Sequence, residues 1–483
     1  MKLLTLCRAS IAAMLATVAI LCIGCDNPPR ENILKVYNWG DYIDESMLAD
    51  FESWYEEQTG EKVKVVYQTF DINEVMLAKI EKGEADFDVV CPSEYIIERM
   101  MYNDMLIPIR TESFEKELNS KDINYLNGIS PYITEQFSLL KDKKGRNANE
   151  YAVGYMWGTT GLLYNRKYVK DEEAESWALL FDKRFKDKIF IKDAFRDVYT
   201  PMLIYAKTLE ARQNGQLDED KTLPIETIRE LMFRSDDESI ALVEGYLKRM
   251  KELVAGWEAD FGKEMMTQEK AYINLMWSGD AVWAIEEAAE IGVELDYRVP
   301  REGSIVWFDG WVIPKYAKNV RAARYFINYM CKPENAIRNM EETGYVSVIG
   351  TREVMETMGE VYNAEEHGED AATSDLGYFF RTAEGEMIEG ADSLIIDDVM
   401  YPDRSVIERC GVMHDSGKRT EQMLEMWSRV KGDNLSPLMV IFIVTTLSII
   451  VIAVVWRKIE KRRKPLKHKR KRQKAAQTTN PKH

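Results

Sequence analysis

Between residues 33 and 90, apolar runs with strand character alternate with segments of helical spacing. That alternation constrains the fold more than anything else in the chain. Residues 33–37 precede a helical stretch over 45–58, in which Met47, Leu48, Phe51, Trp54 and Tyr55 recur on one face. Thr59-Gly60 ends that helix, and residues 63–67 form the next strand. A helix over 73–82 then leads to a third strand, 87–90, broken by Pro92. A β-α-β-α-β order predicts an α/β fold with a parallel sheet and helices on both faces. Ligands of such sheets bind beyond the carboxyl ends of the strands.

A second set of strands is expected at 161–164, 188–192, 271–277 and 296–299, with charged helices at 225–233 and 238–251. A strand at 311–314 and a helix at 320–331, stopped by Pro333, follow. The length between the terminal segments, about 400 residues, suits two such domains. Residues 353–400 are rich in Glu, Asp, Ala and Gly, as in Glu365-Glu366-His367-Gly368-Glu369-Asp370. Their scattered apolar positions predict a surface insertion with some helix, outside the core.

The ends speak of the cell envelope. Residues 1–25 have the layout of an export signal: Lys2 and Arg8, an apolar stretch over 11–23, then Gly24-Cys25. A Cys after a small residue resembles a lipobox, so Cys25 is the expected lipidation site, with an uncleaved anchor as the alternative. Residues 437–456 are twenty positions without a charge, long enough at 1.5 Å per residue to span about 30 Å of hydrocarbon. They predict a transmembrane helix. Residues 457–483 hold 13 Lys/Arg and one acid, which makes that tail cytoplasmic and the preceding domain extracytoplasmic. A basic tail beside a spanning helix needs no nucleic acid to explain it. The chain carries −17 and the tail +12, so residues 1–456 carry −29, a field that attracts cations.

Where the first strand ends, the chain reads Tyr37-Asn38-Trp39-Gly40-Asp41-Tyr42. Aromatic faces attract cations and a carboxylate pairs with them, so this combination suits an organic cation. It recurs in Trp277-Ser278-Gly279-Asp280 and Trp307-Phe308-Asp309. Cys91, Cys331 and Cys410 are odd in number and unpatterned, which argues against a disulfide scaffold or a zinc site and for buried free thiols. His367 and His414 lie near no nucleophile or metal-ligand partner in the sequence, and there is no phosphate loop or nucleophile elbow. An enzyme, a metal and a cofactor are therefore not expected.

Longer stretches carry a family resemblance. They include Val36-Tyr37-Asn38-Trp39-Gly40-Asp41-Tyr42-Ile43, Asp88-Val89-Val90-Cys91-Pro92-Ser93-Glu94-Tyr95 and Tyr155-Met156-Trp157-Gly158-Thr159-Thr160-Gly161. Residues 193–198, Leu275-Met276-Trp277-Ser278-Gly279, residues 307–314, Ala317-Lys318-Asn319 and Glu342-Thr343-Gly344-Tyr345 continue the series, and Tyr401-Pro402-Asp403 resumes it. In this order the chain resembles the spermidine/putrescine-binding proteins of polyamine ABC transporters, which have the two-lobed periplasmic-binding-protein fold with an inter-lobe cleft.

The resemblance implies aromatic walls at Trp39, Tyr42, Tyr95, Trp277, Trp307 and Tyr345, with Ser93 beside them. It implies ammonium-binding carboxylates at Asp41, Asp197 and Asp309. Two departures weaken the case for a triamine: an expected carboxylate falls on Ala194, and an expected amide on Met413. Asp280 matches the putrescine-type members, which tips the expectation towards putrescine or mixed specificity.

The implied organisation is lobe 1 over 26–159, lobe 2 over 160–307, a return to lobe 1 over 308–352, and lobe 2 again over 353–436. The implied role is capture of putrescine or spermidine outside the cytoplasmic membrane and delivery to an ABC permease and, through it, its ATPase. The alternatives are another cationic solute, or a polyamine-sensing receptor acting through a separate partner.

Overall fold

The computed structural model describes residues 28–83, 85–259, 261–432 and 445–446. The expected signal with Cys25, the basic tail, and the expected membrane helix apart from 445–446 lie outside the described residues. Among the described residues, no helix is long and apolar enough to cross a membrane. The chain divides into two units, Met1–Met423 and Leu424–His483, and the sheet and site described below belong to the first.

The opening alternation does build a sheet, from β1 (Ile33–Trp39), β2 (Lys64–Phe70) and β3 (Val89–Val90), and the short β4 (Leu106–Ile107) follows. β1 lies between β2 and β3 and runs parallel to both. The helix Ser46–Thr59 packs with one stripe, Met47, Phe51 and Tyr55, and Gly60 closes it in the left-handed conformation at φ 74°.

β5 (Ala152–Asn165) is buried along all 14 residues, as a central strand covered on both faces must be. After it come β6 (Ile189–Lys192), β7 (Val254–Glu258), β8 (Ile273–Trp277) and β9 (Leu295–Arg298). β10 (Ser304–Pro314) is again buried throughout. The short strands β11 (Val346–Ser347), β12 (Gly359–Val361), β13 (Leu394–Ile396) and β14 (Cys410–Gly411) complete the set.

The main sheet runs β2-β1-β3-β10-β5-β8-β6-β7, with β4, β9, β11 and β14 attached beside this path. β10 is antiparallel to both β3 and β5, so the sheet is mixed where a parallel one was expected. β5 ties two halves together: Ala152 to Thr159 face β10, and Thr160 to Tyr164 face β8. β6 runs parallel to both β7 and β8, which gives the second half a parallel core of its own. The expected lobe boundaries at 159/160 and 307/308 thus fall inside β5 and β10.

The acidic stretch over 353–400 is not the surface appendage its composition suggested. Leu376, Phe379, Phe380 and Leu394 are fully buried. Tyr378 packs edge-on against Tyr132 at 5.0 Å, Phe379 lies 5.2 Å from Trp157, and Ser130 Oγ donates to the Phe379 carbonyl at 2.6 Å. Single apolar residues spaced between acids can each plug a gap in a neighbouring surface without showing any period. Cys91, Cys331 and Cys410 are buried free thiols, as expected.

Candidate functional site

Asp309 organises the first half of the site. The register of β10 slips between Phe308 and Gly310, and such a bulge re-aims the side chain it carries. The carboxylate is buried. Ser93 Oγ donates to its Oδ1 at 2.6 Å and the Tyr42 hydroxyl to its Oδ2 at 2.8 Å. Ser93 is the N-cap of helix Glu94–Tyr102, yet its hydroxyl makes no capping bond. The helix forgoes a stabilising cap because that hydroxyl serves Asp309 instead. Burial pushes the Asp309 pKa up to about 7, against the pull of the two hydroxyls and with a contribution from the charge of Asp197.

Asn73 extends this network, donating from Nδ2 to Ser93 Oγ at 2.9 Å and to the Tyr95 hydroxyl at 3.1 Å. Tyr95 in turn donates to Glu74 Oε1 at 3.1 Å. The Arg196 guanidinium lies over the Tyr95 ring at 5.1 Å.

The second half is set by residues just past β6 and β8. Asp197 sits in the first turn of helix Phe195–Gln213, and Asp280 in the first turn of helix Ser278–Glu290. Helix N-termini favour such negative charge. Trp277 Nε1 donates to Asp197 Oδ1 at 2.9 Å, and burial pushes the Asp197 pKa up to about 6.

Asp280 is held otherwise. The Tyr345 hydroxyl donates to its Oδ1 at 2.9 Å, and Lys192 Nζ lies 2.6 Å from its Oδ2. Burial opposes ionisation at Asp280, but the charges of Lys192 and Lys263 outweigh it and hold the pKa below the usual range. Tyr345 reaches this position because Gly344, at φ 72°, turns the chain out of helix Pro333–Thr343. Its ring lies so close to Gly279 that a side chain there would collide with it.

Aromatic rings join the halves. Tyr42 and Tyr345 meet edge-to-face at 4.9 Å, and Trp307 meets Tyr345 at 5.7 Å. The structure therefore brings Tyr42, Ser93, Tyr95, Asp309, Trp307 and Tyr345 into one connected group, with Asp197, Trp277 and Asp280 linked to it through Tyr345 and the field of Asp197. Trp39 is half-buried and leans on Phe70 at 4.5 Å. Asp41 stands apart: its backbone is left-handed at φ 49°, its side chain is 88% exposed, and Lys263 Nζ lies 3.9 Å away.

Sequence reasoning missed Lys192, Asn73, Glu74 and Glu94. Lys192 is fully buried, 3.5 Å from Glu258 Oε1, and its ammonium lies 4.4 Å from the centre of the Trp277 ring. Its signal was available: a lysine closing the otherwise apolar strand Ile189–Lys192, immediately before Asp193. Glu94 is fully buried beside Asp309. Its Oε2 accepts from the Phe308 N–H at 3.0 Å, and burial drives its pKa well up. Among the described residues, no group of three or more His, Cys, Asp or Glu is placed to hold a metal ion.

Buried acids beside aromatics are thus contributed by both sheet halves: Asp197 and Asp280 just past the carboxyl ends of β6 and β8, and Asp309 from the bulge of β10. The profile of the bacterial extracellular solute-binding proteins matches residues 47–365, and the chain belongs to that family. The spermidine/putrescine-binding periplasmic protein of Escherichia coli K12 is 26% identical over 315 residues, covering 65% of this chain and 77% of the relative. The putrescine-binding periplasmic protein of the same organism is 26% identical over 317 residues, covering 63% and 75%. A solved structure, the spermidine/putrescine ABC transporter substrate-binding protein of Streptococcus pneumoniae, is 28% identical with a TM-score of 0.55, covering 83% of this chain and 98% of that one. The resemblance read from the motifs is thereby shown. The family is one of solute-binding components, not enzymes.

Proposed function

We propose that this chain captures a polyamine, putrescine or spermidine, outside the cytoplasmic membrane and hands it to an ABC permease. One observation carries the reading. Asp309 and Asp197 are buried carboxylates whose hydrogen-bond donors here, two hydroxyls and an indole N–H, are all neutral. Buried carboxylates call for positive charge, and an alkyl ammonium supplies it. Tyr42, Trp277, Trp307 and Tyr345 would flank the methylenes, each contact worth on the order of 0.5–2 kcal/mol. Trp39, Tyr95 and Ser93 would complete the wall. The names of the relatives above support the ligand class.

In this reading lobe 1 comprises residues 26–159 and 308–352, and lobe 2 residues 160–307 and 353–436. A ligand touching both favours a closed form through its differential contacts, and the closed form docks on the permease. The apolar segment 437–456 and a lipid on Cys25 would tether the receptor and raise its concentration near that permease. Titration calorimetry of the full-length chain in detergent, with putrescine and spermidine in parallel, tests the reading. Micromolar or tighter binding of either is expected; absence of heat with both would sink it.

A further inference from the structure

Three of the acids around the aromatic group, Asp309, Asp197 and Asp280, are not equivalent. Asp309 receives only hydroxyls; Asp197 receives an indole N–H and feels the charge of the neighbouring Arg196, whereas burial still pushes its pKa up. Asp280 has a lysine from its own chain on one oxygen and a tyrosine hydroxyl on the other. Lys192 is no wandering surface side chain. Its ammonium donates to the Ala259 carbonyl at 2.6 Å, sits 3.5 Å from Glu258, and lies over the face of Trp277. It arrives from the last position of β6, and its exposure is nil. An ammonium on a four-carbon stem, paired with a carboxylate and stacked on an indole, is chemically the end of an alkyl amine. The protein supplies one terminus of a polyamine itself.

We propose that Lys192 is a specificity-determining residue: by occupying Asp280 and the face of Trp277, it leaves places for two ligand ammoniums, on Asp309 and Asp197, and selects a diamine over a triamine. The inference rests on the polyamine reading and deepens it. A third ligand ammonium brought to Asp280 would meet the Lys192 ammonium in a buried, low-dielectric setting, where like charges repel strongly. Asp280 keeps the match to putrescine-type relatives, but in this chain it acts through the lysine it holds.

The test measures Kd for putrescine and spermidine on the full-length chain in detergent, for the wild type and two variants. The wild type is expected to prefer putrescine. Lys192→Met releases Asp280 and should move the spermidine-to-putrescine preference by at least about tenfold towards spermidine. Because that variant leaves Asp280 and Glu258 without the Lys192 ammonium, Lys192→Met/Asp280→Asn is made alongside; with the ammonium and the Asp280 charge both gone, its preference should stay within about threefold of the wild type. A wild type that prefers spermidine overturns the proposal. So does a folded Lys192→Met protein with an unmoved ratio, or a double variant that loses the putrescine preference. If the wild type binds neither polyamine, the functional reading falls and this inference with it. Binding with an unmoved ratio removes the inference alone.

Discussion

Asp309 and Asp280 are both buried and both accept a tyrosine hydroxyl, yet their titration is pushed in opposite directions. Burial lifts Asp309 to about 7, whereas Lys192 and Lys263 overcome the same burial at Asp280 and hold it low. The difference is the presence of an internal cation. A buried acid without one is an unmet demand for positive charge, and a buried acid with one is part of the scaffold. Depth of burial does not separate a ligand site from a structural ion pair; the identity of the partner does.

The largest effect should come from the scaffold side. Lys192→Met takes the ammonium away from buried Asp280 and Glu258, leaving Asp280 only the field of Lys263, and should cost about 3–5 kcal/mol at pH 8. The loss should shrink towards pH 5, because the stranded carboxylates can then take protons. Denaturant unfolding at the two pH values measures it, and equal losses would show that the pair is not electrostatically important.

Asp309→Asn should behave in the contrary way. Its folded pKa of about 7 lies above the ordinary 3.8, so the native state binds that proton more tightly than the unfolded chain does. The stability this group contributes is full below the ordinary value and is lost as pH rises through 7. An uncharged amide removes that loss, so the variant should match or exceed the wild type in stability at pH 8. It should also lose about 1.5–3 kcal/mol of polyamine affinity, the worth of a charged hydrogen bond. Unchanged affinity would take Asp309 out of the site.

The same asymmetry predicts a pH-dependent affinity. A diamine stays protonated throughout, but the Asp309 carboxyl must lose its proton to pair with it. Each pH unit below 7 should therefore weaken binding by about tenfold, and more steeply once Asp197 also protonates below about 6. Calorimetry in buffers of different ionisation enthalpy should detect proton release on binding near pH 6.5. A flat profile would mean that the ligand ammonium sits elsewhere.

Much of this contrast was legible in the sequence, and its decisive partner was not. Tyr42, Ser93 and Tyr345 lie in short motifs next to strand ends, where topology gathers them, and Asp309 lies in the Trp307-Phe308-Asp309 motif at the bulge of β10. Lys192 escaped because a lysine at the end of a strand normally extends into water. Here Trp277 and Asp280, contributed by a strand and helix some 80 residues later in the chain, roof it over. Of β5, the sequence pattern marks only the last third, residues 161–164, as strand; Gly154 and Gly158 interrupt the stretch before it. In the fold, Gly158 is required by close neighbours: a side chain there would strike Ser278 Oγ at 2.5 Å and the Trp307 ring at 2.6 Å. The buried part of 353–400 was hidden for another reason. Its aromatics meet partners more than two hundred residues away, such as Tyr132 and Trp157, and so impose no local period.

Asp41 marks the limit of motif reasoning, and it should give the smallest effect. The resemblance makes it an ammonium partner equal to Asp309, because it lies in the most recognisable motif of the chain. The structure leaves its side chain 88% exposed, with Lys263 Nζ at 3.9 Å as an ion-pair partner. A carboxylate in water gains little by pairing, since solvent and salt screen it. Asp41→Asn should therefore change polyamine affinity by no more than about twofold, and less at higher ionic strength. A much larger loss would show that ligand binding draws the Gly40-Asp41 turn inward. Lys263 makes that outcome readable: it stands beside Asp41, lies over the Trp283 ring at 5.0 Å, and contributes to the field at Asp280. If Asp41 closes over the ligand, Lys263→Met should mimic or enhance closure by freeing the carboxylate. If it does not, Lys263→Met should act only through Asp280 and leave the effect of Asp41→Asn unchanged.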